Sequence, residues 1–313
     1  MRSFTLSCVI LALMVGMNIN QSVVGQQVDR TSENTPALKN LLERHGEADL
    51  NKDGVLTLAE AKKAQQARRR TQAAARQQRG GAQPARGGAA PTQADVSYGS
   101  NERHVLDFWQ AESEKPTPLF IWIHGGGFRG GDKKSFPGEL RQRCLEAGIS
   151  CAAIHYRLTG EAPYPAAMHD SAKAVQFLRS KSKEWNLDPS RFAAGGGSAG
   201  SGISQWLGYH DDLANPDSDD PIARQSTRLA CVIPINMQST YDPREIKRII
   251  PGQAYKHPAL VPFYGKPEGW DWDRDPIDEK LDALIHDASP ITHLTKDDAP
   301  IFLIQYAPVS YTH

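Results

Sequence analysis

The segment Gly196-Gly197-Ser198-Ala199-Gly200 sets a serine among small residues, after a short apolar run at 191–194 and before a helix-like run through Trp206 and Leu207. A strand that turns sharply into a helix lifts such a hydroxyl above a sheet, where bulky neighbours would collide. The helix behind Ser198 points its positive end at negative charge developing beside it. Upstream, His124-Gly125-Gly126-Gly127-Phe128 follows the apolar run 119–123. Backbone N–H groups of Gly125, Gly126 and Gly127 can turn inward toward an anionic oxygen, jointly with the N–H of Ala199. The pair suits a serine attacking an acyl carbon, with His124 bracing the loop rather than moving a proton. A glycine loop also cradles phosphate, but no Gly-Lys-Ser/Thr follows these glycines, which sets nucleotide binding aside.

These residues need a scaffold, and the chain predicts one. Residues 105–109, 118–123, 150–156, 191–194, 229–235 and 300–307 read as strands; 140–147 and 168–185 carry apolar residues near a 3.6-residue period and read as helices. Alternation of strands and helices predicts an α/β fold, a mostly parallel sheet with helices on both faces. Reactive groups in such a sheet gather at the carboxyl ends of its strands. In the excursion at 238–288, Tyr241, Tyr255, Phe263, Tyr264, Trp270 and Trp272 either line a cleft for a sugar or aryl ester or pack the excursion onto the domain.

With both motifs in this order over about residues 98–307, the chain resembles the α/β-hydrolases, specifically the HGGG-bearing carboxylesterases: hormone-sensitive-lipase-like, or feruloyl- and acetylxylan-esterase-like. Tyr156-Arg157-Leu158, Pro163-Tyr164-Pro165-Ala166 and Asp188-Pro189-Ser190-Arg191 fit the texture of that family. The resemblance implies a secreted serine ester hydrolase working through an acyl-enzyme, acting on acetyl or feruloyl esters linked to polysaccharide. It also implies an acid and a later histidine after the last strand, yet only Pro308 to His313 follow it. His257, His286, His293 and His313 supply no placed base, so base and acid stay unassigned. The fold is expected to be truncated at its carboxyl end, and this chain to be feeble or inactive. The competing readings are a non-catalytic calcium-binding interaction protein on a hydrolase scaffold and a serine exopeptidase on the same fold.

A second site lies upstream. The run from Asp49 to Glu60 fills a twelve-residue cation loop: Asp49, Asn51 and Asp53 at positions 1, 3 and 5, Gly54 at the turn, Val55 offering its carbonyl, Thr57 at position 9 and Glu60 at position 12. It resembles a single EF-hand within a helix-loop-helix unit at 33–64, and the resemblance implies a structural Ca2+. No cofactor is expected for catalysis.

The 313 residues predict roughly two domains. Lys plus Arg and Asp plus Glu number 36 each, which gives no electrostatic case for a nucleic-acid partner. Residues 65–96 form a basic, low-complexity linker, and the hydrolase-like domain is expected at 97–313. Residues 1–25 have the charged, apolar and small-residue order of a signal peptide, which predicts a secreted or periplasmic protein without stable membrane insertion after cleavage. Cys144, Cys151 and Cys231 then leave at least one free thiol.

Overall fold

The computed structural model describes residues 31–44, 46–61, 63–64 and 89–304, which fall into two units, one at 31–64 and one at 89–304. The expected signal peptide, most of the expected linker and the chain's last nine residues lie outside them. In chain order the strands are β1 (Gln93–Ser97), β2 (Val105–Trp109), β3 (Thr117–Ile123), β4 (Ser150–Ile154), β5 (Leu187–Gly197) and β6 (Cys231–Ile235). The helices are α1 (Pro36–Arg44), α2 (Gly138–Glu146), α3 (Ala166–Ser180), α4 (Ala199–Tyr209), α5 (Pro243–Ile249), α6 (Leu260–Phe263) and α7 (Glu279–Ala288).

Period-2 alternation along β3 explains why both faces of the sheet are covered. Leu119, Ile121 and Ile123 join a cluster with Val175 and Leu178 of α3 and Ile203 and Trp206 of α4. Phe120 and Trp122 face the other way, onto Phe136 and the Leu140, Cys144 and Leu145 side of α2. Each fully buried Leu, Ile or Phe contributes about 1.5–3 kcal/mol, so β3 is the spine of the domain. Among the described residues the sheet order is β1-β2-β4-β3-β5-β6. The first two pairings are antiparallel and the remaining three parallel, a mixed sheet of the α/β class. Cys144, Cys151 and Cys231 are free thiols. No helix among the described residues is long and apolar enough to cross a membrane.

One sequence expectation needs correction. The linker expected to run to residue 96 ends sooner, because Gln93–Ser97 is β1. Its side chains are mostly exposed, so it carries no apolar signature; backbone pairing to β2 and the Asp95 N–H bonded to Asp107 Oδ1 (2.9 Å) hold it. Of the last strand expected at 300–307, the described residues reach 304 and pair with β6 through two parallel bridges, Ile301 to Val232 and Ile304 to Ile235; residues 305–307 lie outside them. Ile301, Phe302 and Leu303 are exposed, while backbone bonds join this segment to β6, among them Phe302 N–H to the Val232 carbonyl at 2.9 Å.

Lys133, 3% exposed, places its Nζ 2.6 Å from Asp107 and 2.8 Å from Asp95, fastening the segment after the triple glycine to β1 and β2. Removing one partner of a buried pair leaves an uncompensated charge. Lys133→Ala is therefore expected to lower unfolding free energy by about 3 kcal/mol in urea titrations, most of it from the stranded Asp107 carboxylate. A loss under about 0.5 kcal/mol, the scale of ordinary surface substitutions, would contradict this assignment.

In the amino-terminal unit Leu38 of α1 packs with Leu56, Ala61 and Ala64, and residues 58–61 and 63–64 are helical. Thr57 and Glu60 cap that helical stretch reciprocally: Glu60 N–H donates to Thr57 Oγ1, and Thr57 N–H to Glu60 Oε2.

Candidate active site

β3 and β5 run parallel, with Ile123 opposite Gly196, so the residues following each strand emerge side by side at the carboxyl edge. A side chain in the turn would block this meeting. A Cβ at Gly200 would overlap the Ile123 carbonyl oxygen, and one at Gly125 would overlap the Gly197 carbonyl oxygen and lie 3.4 Å from the Ser198 Cβ. The triple glycine and the serine therefore share one site.

Ser198 sits between β5 and α4 at φ 54°, ψ −120°, a conformation side chains rarely adopt. It is exposed while Ala199 behind it is buried. The Ala199 amide is in the first turn of α4, where N–H groups have no intrahelical partner. Across the cleft, Gly126 (φ +119°), Gly127 (φ +59°) and Phe128 (φ +59°) turn the backbone back on itself, and Arg129 N–H closes the turn on the Gly126 carbonyl at 3.1 Å. Gly126 is obligatory there, since a Cβ would overlap the Gly130 carbonyl as well as strain the backbone. The resulting open cleft of about 420 Å3 is lined by Gly126, Gly127, Arg129, Gly130, Ser198, His257 and Ala259.

The glycine loop is braced from behind. His124 is fully buried, stacks on Tyr156 at 4.3 Å, and its Nδ1 donates to the Gly125 carbonyl at 2.8 Å; the Tyr156 hydroxyl donates to the His124 carbonyl at 2.8 Å. Arg103 Nε donates to the Tyr156 carbonyl at 2.7 Å, and its Nη2 reaches the Gly131 carbonyl. Phe128 is clasped by Phe263 and Tyr241, with ring centres 4.4 and 5.6 Å away. The excursion aromatics thus take the packing role: Tyr241 and Phe263 are buried against Phe128 of the glycine loop, and Tyr264 is buried behind them against Phe263. Arg157 binds Asp170 through two nitrogens; burial alone would raise that carboxyl, but the guanidinium outweighs it and holds it below its usual range.

Burial pushes His124 down from 6.5 to about 4, which keeps the brace neutral at ordinary pH. The unfolded imidazole takes up its proton near 6.5, the folded one only near 4, so between those values the folded state binds fewer protons. The stability this provides is complete above pH 6.5 and is lost as pH falls through 4, by about 3 kcal/mol. Neighbouring His155, lowered by burial and by Arg103, steepens the same stretch. His124→Gln should flatten the curve of urea midpoint against pH between 4 and 6.5; an unchanged slope would contradict the assignment.

The structure disperses the other histidines. His293 packs beside Trp206 and His210 at the carboxyl end of α4, about 18 Å along the helix from Ser198 at 1.5 Å per residue. His286 lies exposed on α7, and Asp297 is exposed while Asp298 is half-buried before the final bridges. His257, which sequence reasoning left unplaced, is the histidine that lines the cleft. Its Nδ1 accepts the Ala259 N–H at 3.2 Å, so in the neutral ring Nε2 carries the proton and serves as donor rather than base. Burial, with the charge of Arg129, holds His257 below its usual range.

In the upstream loop, Asp49 accepts N–H bonds from Lys52 (2.8 Å) and Gly54 (2.9 Å), and Asp53 one from Val55 (2.8 Å). Glu60 Oε2 accepts from Thr57 Oγ1 at 2.7 Å. The carboxylates are thus already drawn around the turn at Gly54 (φ +82°), a donor set that fits a hard cation. Thr31 bridges Thr57, and Ser32 exchanges two bonds with Leu56, its N–H to the Leu56 carbonyl and its Oγ from the Leu56 N–H, so a neighbouring segment steadies the loop.

The profile of the BD-FAE family matches residues 106–307. A probable carboxylic ester hydrolase of Mycobacterium tuberculosis, LipM, is 27% identical over 219 residues, covering 67% of this chain and 46% of that protein. The carboxylesterase NlhH of the same species is 33% identical over 106 residues, 34% of this chain and 33% of its own length. The chain thus spans about half or less of the curated relatives it matches. An acetyl ester-xyloside bifunctional hydrolase from Caldicellulosiruptor lactoaceticus shares the fold with TM-score 0.54 at 23% identity, covering 69% of this chain and 75% of that one. A truncated carbohydrate esterase from gut microbiota does so with TM-score 0.56 at 22% identity, covering 70% and 79%.

Proposed function

Because the chain belongs to the BD-FAE family, an α/β-hydrolase family of carboxylesterases, we propose that Ser198 is the nucleophile of an ester hydrolase that passes through an acyl-enzyme. The supporting observation is the meeting of Gly125 and Ser198 at the carboxyl ends of β3 and β5. Ser198 Oγ bonds to the acyl carbon as its proton passes to a general base, the carbonyl oxygen takes the negative charge between the N–H groups of Ala199 and the triple glycine, and the C–O bond to the alcohol breaks as that proton passes to the departing oxygen. Water then releases the acid. The α4 amino terminus and the loop amides offer fixed dipoles that need no rearrangement as charge develops.

The cleft also suggests the ester. Apart from Ala259 it presents glycine backbone, Arg129 and His257, while the excursion aromatics are occupied in packing. Such walls suit a short acyl group on a polar, sugar-like alcohol, and favour acetyl over feruloyl or fatty acyl esters. Turnover of p-nitrophenyl acetate, p-nitrophenyl octanoate, acetylated xylan and methyl ferulate by the full-length protein tests this. Acetyl esters should lead in kcat/KM by at least about tenfold, the effect of roughly 1.4 kcal/mol in transition-state binding. A preference for octanoate or ferulate would overturn it.

The 49–60 loop is proposed to hold a structural Ca2+ in an EF-hand-like arrangement, with oxygens of Asp49, Asn51, Asp53, Val55, Thr57 and Glu60, in a secreted or periplasmic protein. Calorimetry should show one Ca2+ bound with Kd on the order of 10⁻⁴ M, the range of extracellular modules, and Glu60→Gln should abolish it. Absence of binding at millimolar Ca2+ would remove the claim.

A further inference from the structure

At the far end of α4 from Ser198, three segments bring together donors that the esterase reading does not use. We propose that His210, Asp287 and His293 form a site for a divalent transition-metal ion, of which Zn2+ is the type. One ligand atom from each lies within 4.8 Å of the others. Asp287 Oδ1 is 3.8 Å from His210 Nε2 and 3.7 Å from His293 Nε2. The two sides at Asp287 are a few tenths of an ångström longer than the roughly 3.4 Å between ligands held about 2.0–2.2 Å from one tetrahedral ion, and the third side, under 4.8 Å, closes as the two rings turn inward.

The surrounding contacts aim these atoms. His210 Nδ1 donates to the Asp211 carbonyl at 3.0 Å, which leaves the Nε2 lone pair facing Asp287. The second carboxylate oxygen of Asp287 accepts the Tyr164 hydroxyl, and Trp206 Nε1 donates to the Asp287 carbonyl at 2.8 Å. His293 Nε2–H donates to that same carbonyl at 2.7 Å; to bind an ion the ring takes the Nδ1–H tautomer, and the carbonyl keeps its bond to Trp206. Trp206, fully buried, forms a floor with its ring centre 4.1 Å from that of His210. His210 also caps the carboxyl end of α4, where the helix dipole favours a cation.

Two imidazoles and one carboxylate select a borderline-soft ion over Ca2+ or Mg2+, which take oxygen ligands. The ion joins the nucleophile helix to α7 and to the turn at Pro290–His293, clamping the excursion onto the domain. It takes no part in ester cleavage, being about 18 Å from Ser198 along the helix.

The full-length protein, freed of metal by chelator dialysis, is titrated calorimetrically with ZnCl2 in a Glu60→Gln background that disables the upstream loop. One equivalent should bind and raise the melting temperature. His210→Gln and His293→Ala should each weaken binding by roughly 100-fold and remove the thermal shift, without moving the metal-free melting temperature by more than a few degrees. X-ray absorption of the unsubstituted protein, which needs no variant to fold, should show two imidazoles and no thiolate around zinc. No binding at millimolar zinc, unchanged affinity in both variants, or an all-oxygen or thiolate shell would each overturn the proposal.

Discussion

Where the protein turns over acetyl esters with its full catalytic set, Ser198→Ala is expected to lower kcat by on the order of 10⁶-fold while leaving KM within a few-fold, because the step lost is bond formation and not substrate binding. The residual rate should still exceed that in water, since the amides of Ala199 and the triple glycine remain to hold the oxyanion. Position 198 carries a second signature. The backbone at φ 54°, ψ −120° is strained for a side chain, at a cost of about 1–3 kcal/mol that the flanking strand and helix enforce. Ser198→Gly should therefore be equally inactive yet more stable by about 1 kcal/mol, as expected where strain is retained for chemistry. Steady-state kinetics and urea unfolding of the two variants check both halves. If Ser198→Ala retained more than a tenth of the activity, the nucleophile would lie elsewhere.

Gly126→Ala is the second large effect. The added methyl meets the Gly130 carbonyl, and the backbone at φ +119° resists any side chain, so the loop must open. The N–H groups at 126 and 127 then leave the position of the developing oxyanion. Loss of one such donor costs about 10²–10³ in kcat. Because His124, Arg103, Tyr156 and Phe128 hold the rest of the segment, the damage should stay local, with native circular dichroism retained and the rate of Ser198 phosphonylation falling in parallel with kcat. A variant that lost KM alone would show the loop to be a binding surface and not a charge-stabilising one.

Much of this site was legible in the chain because its determinants are local. Gly125, Gly126, Gly196 and Gly200 mark places where backbones must touch, and the apolar runs before them mark the strands. What was not legible depends on distant partners. β1 is polar along its exposed length and exists through its ladder to β2 and the buried Lys133 that meets Asp95. β5 begins at Leu187, ahead of the turn-like Asp188-Pro189-Ser190-Arg191, where Asp188 binds Ser190 and Arg191 while the strand continues. His257 reaches the cleft because α6 and its neighbours pack on Phe128, a contact that no periodicity encodes. The meeting of His210 with Asp287 and His293 likewise joins segments far apart in sequence.

The most direct measurement is a crystal structure of the full-length protein after reaction with a small phosphonate ester, which fixes a tetrahedral, negatively polarised oxygen on the nucleophile. Phosphorus is expected on Ser198 Oγ, with that oxygen about 2.7–3.1 Å from the amide nitrogen of Ala199 and from at least one amide of the 125–127 segment. A phosphonyl oxygen turned to solvent, or an adduct on another residue, would contradict it.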